Sequence, residues 1–230
     1  MDTFKAYCIE INLDIDLTKY KTIVFDCDGV VLDSNITKID AYFRTAKKYG
    51  ATDAQAQALV THHVQFGGIS RHPKFVWYIE EILKETATKV AVQEYLDSFS
   101  LAVKEGLMRC KIADGLHELR NKTPNAKWLI VSGGEQQEIR DLFDERELAD
   151  SFDSGLFGSP DNKDEILARE KENGNIKFPA IYIGDSKYDY ESSKRAGLDF
   201  VFLSGWTDVP DWKAYCAENK INVCQNIKSL

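Results

Sequence analysis

Four short apolar runs without polar alternation constrain the fold of this chain most: Lys21–Asp26 (KTIVFD), Lys127–Val131 (KWLIV), Ala180–Ile183 (AIYI) and Phe200–Leu203 (FVFL). A strand with one face in water alternates apolar and polar residues, so runs that do not alternate belong in a sheet covered on both faces. Helix-like segments lie between them: Gly115–Asn121, Glu135–Phe143, Lys163–Asn173 and Tyr188–Ala196, the last closed by Gly197 as a C-cap. Strand alternating with helix predicts an α/β fold, a doubly wound Rossmann-like parallel sheet. The alternation lapses between Ile36 and about Lys111, which is helical in composition and broken only around Gly50, Gly67-Gly68 and Gly106. This predicts an inserted α-helical cap over residues 35–111, with the core domain formed by residues 1–34 and 112–230. In the first twenty residues Ile9, Ile11, Leu13, Ile15 and Leu17 alternate with mostly polar neighbours, which predicts an added edge strand.

The first run ends on acids. Val24-Phe25-Asp26-Cys27-Asp28-Gly29 places two carboxylates two residues apart, directly after residues that must be buried. An unpaired buried carboxylate costs several kcal/mol or neutralises itself, so a cation or a reaction has to satisfy it. In an open parallel sheet ligands sit beyond the carboxyl ends of the strands. The second run ends on Ser132-Gly133-Gly134 and the third on Gly184-Asp185-Ser186, with Asp189 one helical turn on, while Lys163 opens the helix between them. Four carboxylates, a hydroxyl and an ammonium therefore converge on one rim.

That set suits phosphoryl transfer. Mg²⁺ prefers carboxylate and carbonyl oxygens and bridges to phosphate, which lets Asp26 and Asp185 coexist beside an anionic ligand. A carboxylate can attack phosphorus and divide the reaction into two easier steps. A second acid nearby can protonate the leaving alkoxide and then take a proton from water. Lys163, the Ser132 hydroxyl and backbone N–H groups around Gly133 can hold the phosphoryl oxygens as charge redistributes.

Phe25 to Ser34, Val131-Ser132-Gly133-Gly134, Lys163 and Gly184-Asp185-Ser186-Lys187-Tyr188-Asp189 resemble the four ordered motifs of the haloacid dehalogenase superfamily, and the insert resembles its helical cap. The resemblance implies Asp26 as nucleophile and metal ligand, and Asp28 as general acid/base that also offers its backbone carbonyl to Mg²⁺. It implies Ser132, Gly133 and Lys163 as phosphate-binding residues, Asp185 as a metal ligand and Asp189 as its supporting acid. An acid at position 28 suits phosphate esters, whose alkoxide leaving group needs a proton; the dehalogenases and phosphonatases carry other residues there. Gly68-Ile69-Ser70-Arg71 resembles a cap segment of the β-phosphoglucomutase and phosphoglycolate phosphatase group, making Arg71 a candidate substrate contact. The histidine of the mutase is replaced by Lys38, which favours hydrolysis over a phosphomutase. A catalytically silent binding protein would have lost one or more reacting groups, and none is lost.

The remaining features narrow the setting. Five widely spaced cysteines without a Cys-x-x-Cys pair argue for reduced thiols rather than a disulfide framework or zinc site, and Cys27 should pack away from the two acids beside it. A formal net charge of -8 works against nucleic acid, so a small phosphorylated metabolite is expected in a locally positive pocket. His62, His63, Arg71, His72 and Lys74 are the richest basic cluster, whereas Phe75, Trp77 and Tyr78 read as cap core. No run approaches the ~18 apolar residues of a membrane span, and the opening residues lack a signal-peptide pattern, which predicts a cytoplasmic protein without a membrane partner.

Overall fold

The computed structural model describes residues 15–230. Most of the stretch expected as an edge strand therefore lies outside the described residues; its last part, Leu17–Lys19, is a single 3₁₀ turn. The chain enters the sheet through β1 (Thr22–Phe25) and then builds four helices: α1 (Asn35–Lys48), α2 (Asp53–Gln65), α3 (Arg71–Trp77) and α4 (Lys89–Arg109). It returns through α5 (Leu116–Lys122), β2 (Lys127–Glu135), α6 (Gln136–Glu145), β3 (Leu156–Ser159) and α7 (Lys163–Glu172). It finishes with β4 (Ala180–Gly184), α8 (Lys187–Ala196), β5 (Asp199–Leu203), α9 (Trp212–Asn219) and β6 (Asn222–Cys224).

The sheet is parallel throughout, in the order β3-β2-β1-β4-β5-β6. Both faces are covered, as the runs without alternation required. Ile23 and Phe25 pack with Trp128, Ile130 and the apolar sides of α5 and α6, while Val24 points the other way into Leu129, Val131, Tyr182 and α7. The topology also fixes where a ligand can sit. From β1 the chain winds first toward β3 and later, from β4, toward β6, so the crossover point lies between β1 and β4. Phe25 pairs with Ile130 and Ile183, so Asp26 leaves the sheet level with the ends of both neighbours.

Two strands, β3 and β6, and one core helix, α9, escaped the sequence reading. β3 is four residues long and contains Gly158; β6 is only three residues long. Both are shorter than a periodicity can register, and each is defined by its pairing to a neighbour.

The cap has its own core, in which Tyr42, Leu59, Phe75, Tyr78, Phe99 and Val103 are buried together. One expected break is corrected here: α4 runs straight through Gly106. That glycine serves packing, because a Cβ there would collide with Thr37 of α1. The real break falls between the π-helical turn Tyr78–Ile82 and Thr88, where Lys84 adopts a φ of 59° and the Thr88 hydroxyl caps α4.

Candidate active site

The segment after β1 turns tightly. The N–H groups of Val31 and Leu32 both donate to Cys27 O, and Gly29 N donates to Leu32 O. Gly29 has a φ of 72°, and a Cβ there would overlap the Asp185 carboxylate and sit 2.7 Å from Asn35 Nδ2, so conformation and space both demand glycine. Cys27 is buried in the core, as expected of a packing residue.

This turn leaves both acids in the cleft. Asp26 Oδ1 accepts from Cys27 N at 2.7 Å, and Oδ2 lies 2.9 Å from Lys163 Nζ. Asp28 accepts from Ser34 Oγ at 2.6 Å and from the Lys38 ammonium. Burial opposes the Asp28 charge, but Lys38 and then Ser34 outweigh it and hold the carboxyl below its ordinary range.

Lys163 is the first residue of α7, after the Asn162 N-cap, and is fully buried between Asp26 and Asp189. Burial disfavours its charge, yet the two carboxylates more than compensate and raise its pKa. Asp189 completes a capping box with Ser186 at the start of α8: its Oδ2 accepts from Ser186 N at 3.0 Å and Ser186 Oγ at 2.7 Å. Its Oδ1 holds the Lys163 ammonium and lies 3.1 Å from the Tyr182 hydroxyl. One acid thus caps a helix and orients a lysine, two readings that a sequence presents as rivals.

Asp185 differs. Among the described residues its side chain accepts only from the neutral amide of Asn35, at 2.9 Å, and that amide also donates to Trp206 O. Burial first, then Asp189 and Asp26, push its carboxyl well above the ordinary range. Asp26 is raised by the same causes, burial and Asp189. Oxygens of Asp26, Asp185 and Asp189 lie within 4.8 Å of one another.

At the end of β2, Gly134 N donates to Ser132 Oγ at 3.0 Å, where the pairing with β3 shifts register. Gly133 and Gly134 line the cleft; Ser132 is fully buried and does not. The cap closes directly over this edge. A Cβ on Gly133 would strike the backbone of Gly68, and one on Gly68 would stand 3.5 Å from Lys163 Nζ. About 50 Å³ of free space remains inside, lined by Asp26, Asp28, Asp185, Lys38, Arg71 and Lys74 among others.

Arg71 lines the cleft but is engaged. Its guanidinium grips Glu138 of α6 with both amino groups and donates to Ser100 Oγ at 2.9 Å, linking cap to core. Of the other basic residues, His63 and Lys74 line the cleft, His62 stacks on Trp77 at 3.7 Å, and His72 is exposed. Phe75 and Tyr78 belong to the cap core, with Trp77 packed against it. Asn35, Glu138 and Asp208 were missed in the sequence. Each is a polar residue on a helix or loop whose spacing carries no signal, and only folding brings Asn35 and Asp208 to the cleft and Glu138 onto Arg71 in its wall.

The haloacid dehalogenase-like hydrolase family matches residues 23–203. The chain belongs to the haloacid dehalogenase-like hydrolases. Among curated proteins no relative matches it. Its fold is similar to that of a predicted phosphatase from Clostridium acetobutylicum, at a TM-score of 0.69 and 19% identity, covering 89% of this chain and 92% of that one. It is also similar to a predicted phosphoglycolate phosphatase from Haemophilus somnus (TM-score 0.67, 15% identity, 92% and 96% covered). A third similar fold is β-phosphoglucomutase from Clostridium difficile (TM-score 0.67, 18% identity, 91% and 92% covered). No helix among the described residues is long and apolar enough to cross a membrane.

The donor set of this hydrolase fits a hard divalent cation. Three buried acids, Asp26, Asp185 and Asp189, share one ammonium, Lys163, and the Asp189 oxygens are already held by Lys163 and by Ser186. That leaves Asp185 without a positive partner among the described residues, an arrangement that an oxygen-seeking ion such as Mg²⁺ would relieve.

Proposed function

We propose that this hydrolase is a Mg²⁺-dependent phosphomonoesterase that acts on a small phosphorylated metabolite through an aspartyl-phosphate on Asp26. Residues 35–111 form its cap, and residues 1–34 with 112–230 its core domain. The observation that carries the reading is Asp26 itself. It is a buried carboxylate pinned by Cys27 N and Lys163 Nζ, beside a second buried carboxylate, Asp185, that has no cationic partner among the described residues. Asp26, Asp185 and the backbone carbonyl of Asp28 would hold Mg²⁺, which when bound supplies charge neutralisation for the approaching phosphoryl group.

Asp26 attacks phosphorus, forming an acyl phosphate as the bond to the ester oxygen breaks, and that oxygen takes a proton from the Lys38 ammonium relayed through Asp28, to which Lys38 donates. Asp28 then takes a proton from water as the water oxygen attacks phosphorus, which releases inorganic phosphate and regenerates Asp26. Lys163 neutralises charge on the phosphoryl oxygens, with backbone N–H groups around Gly133 completing the cradle, while the buried Ser132 hydroxyl accepts from Gly134 N and holds that turn in place. Asp189 keeps Lys163 aimed at Asp26. Arg71 belongs to the cap wall, and substrate can share it with Glu138. The cap loop Gly67–Ile69 excludes bulk water once closed.

Hydrolysis is favoured over phosphomutase chemistry because Lys38 forms an ion pair with Asp28 at the position of the mutase histidine. The pair favours the base form of Asp28, which the water-activating step needs. The test is phosphate release from a panel of small phosphate esters with Mg²⁺ or EDTA, running Asp26→Asn beside the wild type. Release that needs both the metal and Asp26 is expected; full activity in Asp26→Asn rejects the mechanism.

A further inference from the structure

Three cations line the cleft from the cap side, and they differ in what holds them. Lys38 is paired with Asp28 and Arg71 with Glu138. Lys74 has no carboxylate in ion-pair contact among the described residues, although its side chain is only 2% exposed. Its one side-chain hydrogen-bond partner among the described residues is His63 Nδ1, at 2.9 Å. With the ammonium donating, Nδ1 accepts and the ring proton sits on Nε2, which is buried and has no partner among the described residues either. A buried ammonium with two free N–H bonds beside a buried, unused imidazole N–H is a costly arrangement for an empty wall.

The groups facing Lys74 do not remove the cost. Asp28 is taken by Lys38, and Asp208, which also lines the cleft, stays out of ion-pair contact. The Tyr42 ring, 5.9 Å away, offers only its face. Burial, and after it the like charge of Lys38, lower the Lys74 pKa to about 7. An acceptor carrying negative charge would satisfy both donors and hold the ammonium charged.

We infer that Lys74 and His63 form a second anion subsite in the cap wall, so that the substrate is a small phosphate monoester carrying another anionic group, a carboxylate or a second phosphoryl. The inference rests on the phosphatase reading and deepens it. It explains how a chain with a net charge of -8 presents an anionic substrate with positive charge at both of its ends. Neutral sugar-like esters of one phosphate leave Lys74 unsatisfied.

The test is calorimetric titration of the Asp26→Asn protein, with Mg²⁺ present, with 2-phosphoglycolate, ethylene glycol bisphosphate and ethyl phosphate. The first two distinguish a carboxylate from a phosphoryl as the second anion; the third has none. At least one of the two is expected to bind about 10-fold or more tighter than ethyl phosphate, as a charge-assisted contact in a dry site would give. In Asp26→Asn/Lys74→Met, near-isosteric and free of the buried charge, the ratio should collapse toward one. Equal binding of all three ligands, no measurable binding of any, or a ratio that survives Lys74→Met overturns the subsite. Wild-type turnover of ethyl phosphate tests the phosphatase reading by itself, so the two can fail separately.

Discussion

Gly133→Ala isolates cap closure from the chemistry beneath it. The alanine keeps the backbone N–H available to a phosphoryl oxygen, and position 133 has no left-handed φ, so the local fold should accept it. Its Cβ, however, would overlap Gly68 O and stand 3.0 Å from Gly68 C and 3.1 Å from Ile69 C. Ordinary carbon separations are ~3.5–4 Å, so the cap loop has to retreat by about 0.5–1 Å. A misplacement of that size costs on the order of 10²-fold in kcat/KM, about 2.7 kcal/mol. Steady-state phosphate release measures the loss, and hydrogen exchange at Ile69, whose N–H donates to Phe66 O, reports the loosened loop. Thermal stability should barely change, because the clash lies between cap and core rather than inside either. A variant that retains activity within about three-fold, with Ile69 as protected as before, would refute the idea that this close approach is required for turnover.

Other outcomes follow from the same geometry. Arg71 and the Ser100 hydroxyl, acting against burial, hold Glu138 below the ordinary carboxylate range, so the cap-to-core link is complete above that range and is lost as pH falls through the lower folded value. Cap-loop exchange in the wild type should therefore rise only once pH has fallen below the ordinary glutamate range. Glu138→Gln should weaken the link at all pH values, by about 1–3 kcal/mol, and erase that acid step; a step that persists would point to another group. Mg²⁺ at 100 times its Kd should add about 2.7 kcal/mol and raise Tm by about 5–10 °C over EDTA in a thermal-shift assay. Asp185→Asn should abolish the rise, and an undiminished rise would remove Asp185 from the ligand set. Lys163→Met leaves Asp26 and Asp189 facing each other without an ammonium, a loss of about 3–5 kcal/mol near neutral pH. Because burial and Asp189 raise the Asp26 carboxyl to about 7, it takes up its proton between pH 8 and pH 5, and the gap in urea midpoint from the wild type should narrow over that interval. A constant gap would mean that packing, not charge, is what Lys163 contributes.

The sequence by itself determined the layered fold and most of the cleft's acids. Burial on both faces leaves a strand no freedom to alternate, so Thr22–Phe25, Lys127–Val131 and Ala180–Gly184 were legible as covered parallel strands. The strand ends then had to carry whatever polar groups the ligand needs, which brought Asp26, Asp28, Lys163 and Asp185 into view. Tertiary structure alone decided which charges meet. That Lys38 holds Asp28, that Arg71 is gripped by Glu138, and that Lys74 is left with His63 depend on how the cap seats on the core. Side chains 10 to 67 positions apart in the chain share no local period that could record their contact. The same holds for the three-residue β6, for the glycine at 106 that admits Thr37 instead of ending a helix, and for the amide of Asn35 on Asp185. Local periodicity reports which face of an element is buried; which group it is buried against is set by packing between elements distant in sequence.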